Sequence, residues 1–448
     1  MAEVTPDHPP ARASFFKVLG PGLLFAGTSV GVSELVQSTR AGADYSFALL
    51  FVVALACLIK YPAFAFGPWY AHATGTSLLE GYRRQGKWAL VLFLLVTLGT
   101  VFTVQAVVTV IAASILASVL GLDWELAPSG LNLGPAVVIS AALLALCAGL
   151  LRIGHYKWLD GINKALILLL TVSTLIATVL ALTRLDVSNV RLLPPASAFT
   201  SRAEIIRITG LIGWTPSAYD VAVWHSLWFL AHKLESKHTP SLKAARLDFD
   251  IGYWFSSFTS VCFLTLGACL MFQSGRVFPD NAVGFAGALI DLYVENFGPW
   301  ARPVLGICAF SAMFSTVLSV TDSFPRVFSI LILRFGSPEQ PDSAPVLPKR
   351  IYWLAMAVIC GLALVILAVV TGKAPMGGGV KLTTLIDIAT TLSFLSAPFL
   401  GWLNHRAIFA PEIQGELRPG RGMWAFSVCS QVFSAGFACY FIWLRFMS

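Results

Sequence analysis

GPGLLFAGTSVGVSELVQSTRAGADYSF at residues 20–47 and RITGLIGWTPSAYDVAVWHSLWFLAHK at residues 207–233 are apolar stretches with a fault in the middle of each. Either is long enough to cross a bilayer, which takes about 20 helical residues. Yet the first carries Gly27, Thr28, Ser29, Gly31 and Ser33 at its centre, and the second Gly213, Thr215, Pro216 and Ser217. Glycine and hydroxylated residues are weak helix formers, and proline removes a backbone donor and clashes with the preceding turn. In lipid, the backbone groups freed by such a fault need protein, water or a bound solute as partners. A kinked, continuous packing helix is the plainer reading of either stretch alone. Faults at corresponding places in two halves of one chain point instead to inverted-repeat transporters, whose interrupted helices face each other at mid-membrane.

The rest of the chain agrees. Of 448 residues, 57% are hydrophobic and 12% charged, about half the charge of a soluble domain. Spans are expected near 16–39, 45–71, 88–120, 134–152, 161–183, 205–230, 250–274, 300–332, 351–371, 382–403 and 423–446. That is an all-α integral membrane protein. It divides into a disordered cytoplasmic tail at 1–15 and one transporter domain at 16–448. The domain reads as repeat one at 16–183, repeat two at 205–403 and an appended helix at 423–446. Basic residues favour one set of loops (Arg83, Arg84, Lys87; Lys157; Lys233, Lys237, Lys243, Arg246; Arg334, Lys349, Arg350; Arg406, Arg418, Arg421); of the opposite set, the loop LDWELAPSG holds none, though the one after the fifth span carries Arg184, Arg191, Arg202 and Arg207. The positive-inside bias puts the N-terminus in the cytoplasm and the protein in a plasma (inner) membrane. The net charge of +7 is spread over these loops rather than gathered in a stripe, so no nucleic-acid partner is expected.

The eight cysteines lie in apolar stretches without a C-x-x-C pair and read as small packing residues. No G-x-S-x-G, H-E-x-x-H or phosphate-loop pattern is present, and nothing converges as catalysis needs, so no enzyme and no cofactor are expected. Trp69, Trp88, Trp158, Trp300 and Trp402 fall near span ends, as interfacial anchors do.

LGPGLLFAG, AGADYSFALL, GYRRQGKW, RIGHYKWLDGINKALILLL and LSFLSAPFLGWLNHRAIF, in this order, resemble the natural resistance-associated macrophage protein (NRAMP) family of metal-ion transporters. The resemblance implies the leucine-transporter fold, a 5+5 inverted repeat plus an eleventh transmembrane helix. Helices 1 and 6 would be interrupted, and alternating access would act on a site between them. The family's metal motif in span one, Asp-Pro-Gly-Asn, falls here on Gly31, Val32, Ser33 and Glu34. Its Met-Pro-His motif in span six falls on Thr215, Pro216 and Ser217. Acidic residues tied to proton movement in span three fall on Gln105 and Val108, and polar positions of span ten on Thr390 and Ser396.

Without the aspartate, methionine and histidine the gap is a poor cage for manganese or iron, which need compensating charge and softer donors. No metal site is expected. The substrate-binding residues expected are Gly31, Val32, Ser33, Glu34, Trp214, Thr215, Pro216, Ser217, Tyr219 and Thr390. Helix ends that aim N–H groups inward suit an anion, and bicarbonate is the first to test among small inorganic anions. The alternative is a divalent cation, magnesium or manganese; magnesium accepts oxygen ligands and keeps its water. Charged groups inside spans are costly and usually functional, so Glu34, Arg40, Asp220 and His225 are expected to couple or gate, with protons as a possible co-substrate. Arg40 and Asp44, four apart, can pair along a helix. Asp322 and Asp387 read as capping or paired acids, and Lys60 and Asp160 as snorkelling or gate charges near inner span ends.

Overall fold

The computed structural model describes residues 20–122, 134–185, 190–237, 239–272, 298–336, 348–371 and 382–446, with a few isolated positions between them. The tail expected at 1–15 lies outside the described residues, as do residues 123–133 of the first long connection.

Every long element among the described residues is a helix. The first span is α1 (Pro21–Ser29), then a π-helical turn (Ser33–Ser38) and α2 (Thr39–Tyr45). There follow α3 (Leu50–Thr74), the short polar α4 (Leu78–Gln85), α5 (Lys87–Leu120) and α6 (Pro135–Leu182). The sixth span is α7 (Arg202–Trp214) and α8 (Val221–Ser236). The rest are α9 (Leu242–Leu270), α10 (Ala301–Gly336), α11 (Lys349–Thr371), α12 (Leu382–Ile408) and α13 (Arg421–Phe446).

Among the described residues, nine helical stretches are long and apolar enough to cross a bilayer. Missing from them are the first and sixth predicted spans, because each is cut into pieces too short to cross alone. With those two broken spans the architecture has the eleven crossings expected of the leucine-transporter fold. α6 contains two spans, Pro135–Gly154 and Lys157–Leu182. Arg152 stacks on Trp353 at the start of α11, whereas Thr174 lies beside Cys308 near the start of α10.

Span seven starts earlier than hydropathy allows. Ser241 caps α9 by accepting the Ala244 N–H at 3.2 Å, and the helix then carries Lys243, Arg246, Asp248 and Asp250 before its apolar stretch. Asp248 is buried because its carboxylate accepts the Gly20 and Gly22 N–H groups at 3.0 and 2.7 Å, neutralising the positive end of α1.

α10 runs through the centre, with 82% of its most apolar window buried, and α11 at the periphery, with 22%. Leu95, Leu168, Leu354 and Val432 lie on the outside of the bundle, where lipid is their solvent. Trp88, Trp158, Trp300 and Trp402 are exposed, but Trp69 is buried and donates to the Leu417 carbonyl at 2.8 Å, so it is no lipid-facing anchor.

Both pieces of the broken first span lie with their backbone against α9. A Cβ on Gly252 would fall 1.9 Å from the Gly22 carbonyl oxygen, and one on Gly267 2.1 Å from that of Thr39. Small residues permit this close approach, the usual basis of helix association in lipid.

Candidate functional site

α1 ends at Ser29, so its last carbonyls have no partner within the helix. α10 meets them: the Ser315 hydroxyl donates to Gly27 O at 2.9 Å, and Thr316 Oγ1 lies 3.2 Å from Gly27 O and 3.3 Å from Val30 O. Beyond the break, the Glu34 carboxylate accepts the Gly31 N–H at 3.0 Å, the Ser33 hydroxyl, and the Ser260 hydroxyl of α9 at 3.1 Å. Glu34 is fully buried and faces α9.

The second break runs from Trp214 to Val221 and includes a cis Thr215–Pro216 peptide bond. Its freed carbonyls meet a cation of the chain itself. Lys60, from the middle of α3, donates to Gly213 O and Ser217 O, both at 2.9 Å, and its ammonium lies 5.5 Å from the centre of the Tyr219 ring. This corrects the expectation of a snorkelling or gate charge near an inner span end. Lys60 is buried at the unwound segment, because only there do uncompensated carbonyls attract an ammonium.

Between the breaks lies a small, partly open cavity. Thr28, Ser29, Val32 and Ser33 line it from the first break; Trp214, Ser217, Ala218, Asp220, Val221 and Trp224 from the second. Val104 and Val108 of α5, Thr316 and Val320 of α10, and Ser393 of α12 complete the wall. Ser393 accepts the Trp214 indole N–H at 2.9 Å. Asp220 is the one charged residue in this lining, and no side chain among the described residues is bonded to it.

The cavity thus brings together Val32, Ser33, Trp214, Ser217 and Asp220. Gly31, Glu34, Thr215, Pro216, Tyr219 and Thr390 are not in its lining. Gly31 backs onto α10, where a Cβ would fall 2.5 Å from Thr316 Oγ1. Thr215 is buried with an unpartnered hydroxyl. Tyr219 packs on Phe64, ring centres 5.5 Å apart. Thr390 donates to Ile386 O within α12 at 2.8 Å. Sequence reasoning missed Thr28, Ser29, Trp224, Thr316 and Ser393 as lining. The run of hydroxyls in FSTVLSVTDS, at 314–323 of an apolar span, was the signal for Thr316.

His225 lies outside the cavity, buried between the rings of Phe25 (5.7 Å) and Phe249 (5.6 Å) with neither ring nitrogen hydrogen-bonded. Arg40 lines a separate, smaller cavity with Gln37, Asp44, Arg207 and Asp387. Asp44 pairs there with Arg207 at 3.2 Å, so the helical Arg40–Asp44 pair is not formed. Gln105 donates to Thr109 and Thr321, each at 3.2 Å. Asp322 is structural: it holds Arg326 at 2.7 Å, Tyr352 at 2.8 Å and Trp228 at 3.1 Å. Among the described residues, no group of three His, Cys, Asp or Glu side chains is placed to hold a metal ion. The cavity offers a guest hydroxyl groups and one carboxylate.

The sequence model described as "Natural resistance-associated macrophage protein-like" matches residues 22–444. An uncharacterised protein of Pasteurella multocida (strain Pm70) is 29% identical over 433 residues, covering 96% of this chain and 92% of that protein. The divalent metal cation transporter MntH of Staphylococcus aureus (strain USA300) is 27% identical over 323 residues, covering 69% and 65%. Among solved structures, a histidine-to-alanine mutant of the Eremococcus coleocola manganese transporter superposes with a TM-score of 0.68 at 17% identity, over 98% of this chain and 96% of that one. MhsT in complex with L-phenylalanine gives 0.67 at 14% identity, over 99% and 100%. These last two show likeness of fold alone. Broken spans, a central cavity and a family match over nearly the whole length lead to one conclusion: the chain belongs to the NRAMP family and is a membrane-embedded secondary transporter.

Proposed function

We propose that this transporter carries a small hard cation of the magnesium class, held with part of its water in the cavity between the two breaks. Asp220 carries the reading. It is the one charged residue in the lining, no side chain among the described residues is bonded to it, and Ser29, Ser33, Ser217 and Ser393 line the same cavity. A hard divalent ion accepts oxygen ligands and retains water. No thioether, thiolate or imidazole, the donors that favour softer transition ions over magnesium, enters this lining. Relatives named as divalent metal cation transporters lend support to the class of cargo.

The anion reading, bicarbonate first, rests on the same hydroxyls as donors. Two features weigh against it. The Gly31 N–H at the first break is already taken by Glu34, and the Asp220 carboxylate would repel an anion unless a proton travelled with it. Bicarbonate moving with one proton would be electroneutral, whereas magnesium uptake carries current. Purified protein in proteoliposomes, offered magnesium, manganese and radiolabelled bicarbonate in turn, separates the readings. Saturable magnesium flux with inward current is the expected result; bicarbonate flux without magnesium flux overturns it.

The orientation belongs to the same proposal. The N-terminus lies in the cytoplasm of a plasma (inner) membrane, with the Arg83, Arg84 and Arg334 end of the bundle on that side. Residues 16–183 and 205–403 form the two repeats of one domain, which rock about the cavity in alternating access.

A further inference from the structure

The two breaks satisfy their freed carbonyls by different chemistry. At the first, the neutral hydroxyls of Ser315 and Thr316 serve them. At the second a full charge does so, and an ammonium buried at membrane depth is costly where a neutral donor would suffice. Lys60 is 3% exposed. It donates to Gly213 O and Ser217 O at 2.9 Å, and lies over the Tyr219 ring, 5.5 Å from its centre. An ammonium has three N–H groups; two carbonyls and a ring face occupy them, so none is left to hold an anion. Among the described residues no carboxylate pairs with it. Carbonyl dipoles and a ring carry no net charge, so the positive charge is still felt beyond its own contacts.

The helix that carries Lys60 follows the second break along its length. Lys60, Phe64 and Gly67 stand at i, i+4 and i+7 of α3, on one face. Lys60 takes the carbonyls of Gly213 and Ser217, and Phe64 packs on the Tyr219 ring. Gly67 is so close to α8 that a Cβ there would fall 2.3 Å from Ala222 O. The stripe therefore fixes the chain on both sides of Asp220. Ser217 and Asp220 line the cavity, whereas Lys60 stands behind that wall, bonded to the Ser217 carbonyl.

We propose that Lys60 is a specificity-determining residue of the cargo site. It is a cation carried by the chain itself, which occupies the oxygens of the second break and sets its charge against that of Asp220. The inference rests on the cation reading of this cavity. With the ammonium in place, Gly213 O and Ser217 O are closed to cargo, and one carboxylate is opposed by one fixed positive charge. A dication there lacks the compensation it needs to shed its water. Magnesium, which keeps several waters, is accepted, whereas calcium, which takes about six to eight oxygen ligands, is refused.

Two variants separate the charge from the hydrogen bonds. Lys60→Gln keeps N–H donors for the carbonyls and removes the charge; Lys60→Met keeps an apolar stem and removes both. In detergent, each should bind radiolabelled calcium about tenfold or more tighter than the wild type, because a fixed unit charge near a dication acts at least that strongly inside a protein. In proteoliposomes, both should gain calcium flux relative to magnesium. Adding Asp220→Asn to Lys60→Gln should abolish the gained binding, which puts the ion in the cavity. A lysine that merely plugs carbonyls gives another pattern: Lys60→Met melts lower, yet neither variant binds calcium better than the wild type. That pattern, in a protein whose wild type moves magnesium, overturns the proposal. If Lys60→Met does not fold, Lys60→Gln decides. A wild type that moves no magnesium, with Lys60→Gln still gaining calcium binding, removes the cargo reading and leaves the role of Lys60 standing.

Discussion

At the scale of single residues, the chain shows how a buried charge takes its role from its surroundings. Glu34 and Asp220 both follow a helix break, and the sequence offers no way to tell them apart. Glu34 turns to α9 and is consumed by three donors, whereas Asp220 lines the cavity without a side-chain partner. Their mutations should diverge accordingly. Asp220→Asn should reduce cargo flux by about tenfold or more with a near-normal melting temperature, because it removes the cavity's counter-charge and little packing. Glu34→Ala should instead cost about 1–3 kcal/mol of stability by stranding the Gly31 N–H and leaving a void in the packing, and Glu34→Gln less. Thermal melts alongside flux measurements check both. If Asp220→Asn transports normally, the carboxylate is not part of the cargo site.

At the scale of elements, α9 is the rail on which the broken first span rests. Gly252 and Gly267 bring it into backbone contact with Gly22 and Thr39, and Ser260 anchors the segment between. Gly252→Ala should destabilise the protein by about 1–3 kcal/mol, since its methyl has a carbonyl in its way. Gly361→Ala in α11 should cost nothing measurable, because a Cβ there meets nothing within 4 Å. Melting curves of the two variants side by side test whether close approach, rather than helix propensity, sets the penalty. The glycines of α9 were visible in the sequence, but a glycine in an apolar span fits a kink, a lipid face or a contact equally well. Only the neighbour decides which.

At the scale of the whole molecule, a charge cluster outside the spans ties distant segments together. Glu80 of α4 accepts Arg83 at 2.7 Å and Arg84 at 3.2 Å, and lies 3.6 Å from Arg334 of α10. Arg84 also reaches Glu412, beyond α12, at 3.3 Å. Burial works against the Glu80 carboxylate, yet the hydrogen bonds and positive charge of Arg83, with Arg334 and Arg84, outweigh it and hold its pKa below the ordinary 4.5. A carboxyl held low in the folded state contributes stability above its unfolded pKa and loses it as pH falls through the folded one. Glu80→Gln should therefore melt below the wild type at neutral pH, with the gap closing below about pH 4.5. A gap independent of pH would assign Glu80 a packing role only.

The sequence by itself determined the eleven crossings, the two faults and the hydroxyl-rich character of what lies between them. Lipid leaves no choice there: a crossing segment must satisfy its own backbone, so length, apolarity and faults are written in consecutive residues. What answers each fault was decided in three dimensions. Lys60 serves carbonyls 153 and 157 positions along the chain, and Ser315 serves one 288 positions back. Nothing local distinguishes these partners from other buried lysines or serines. A freed carbonyl takes whatever donor packing places within 3 Å, and that depends on how the helices cross.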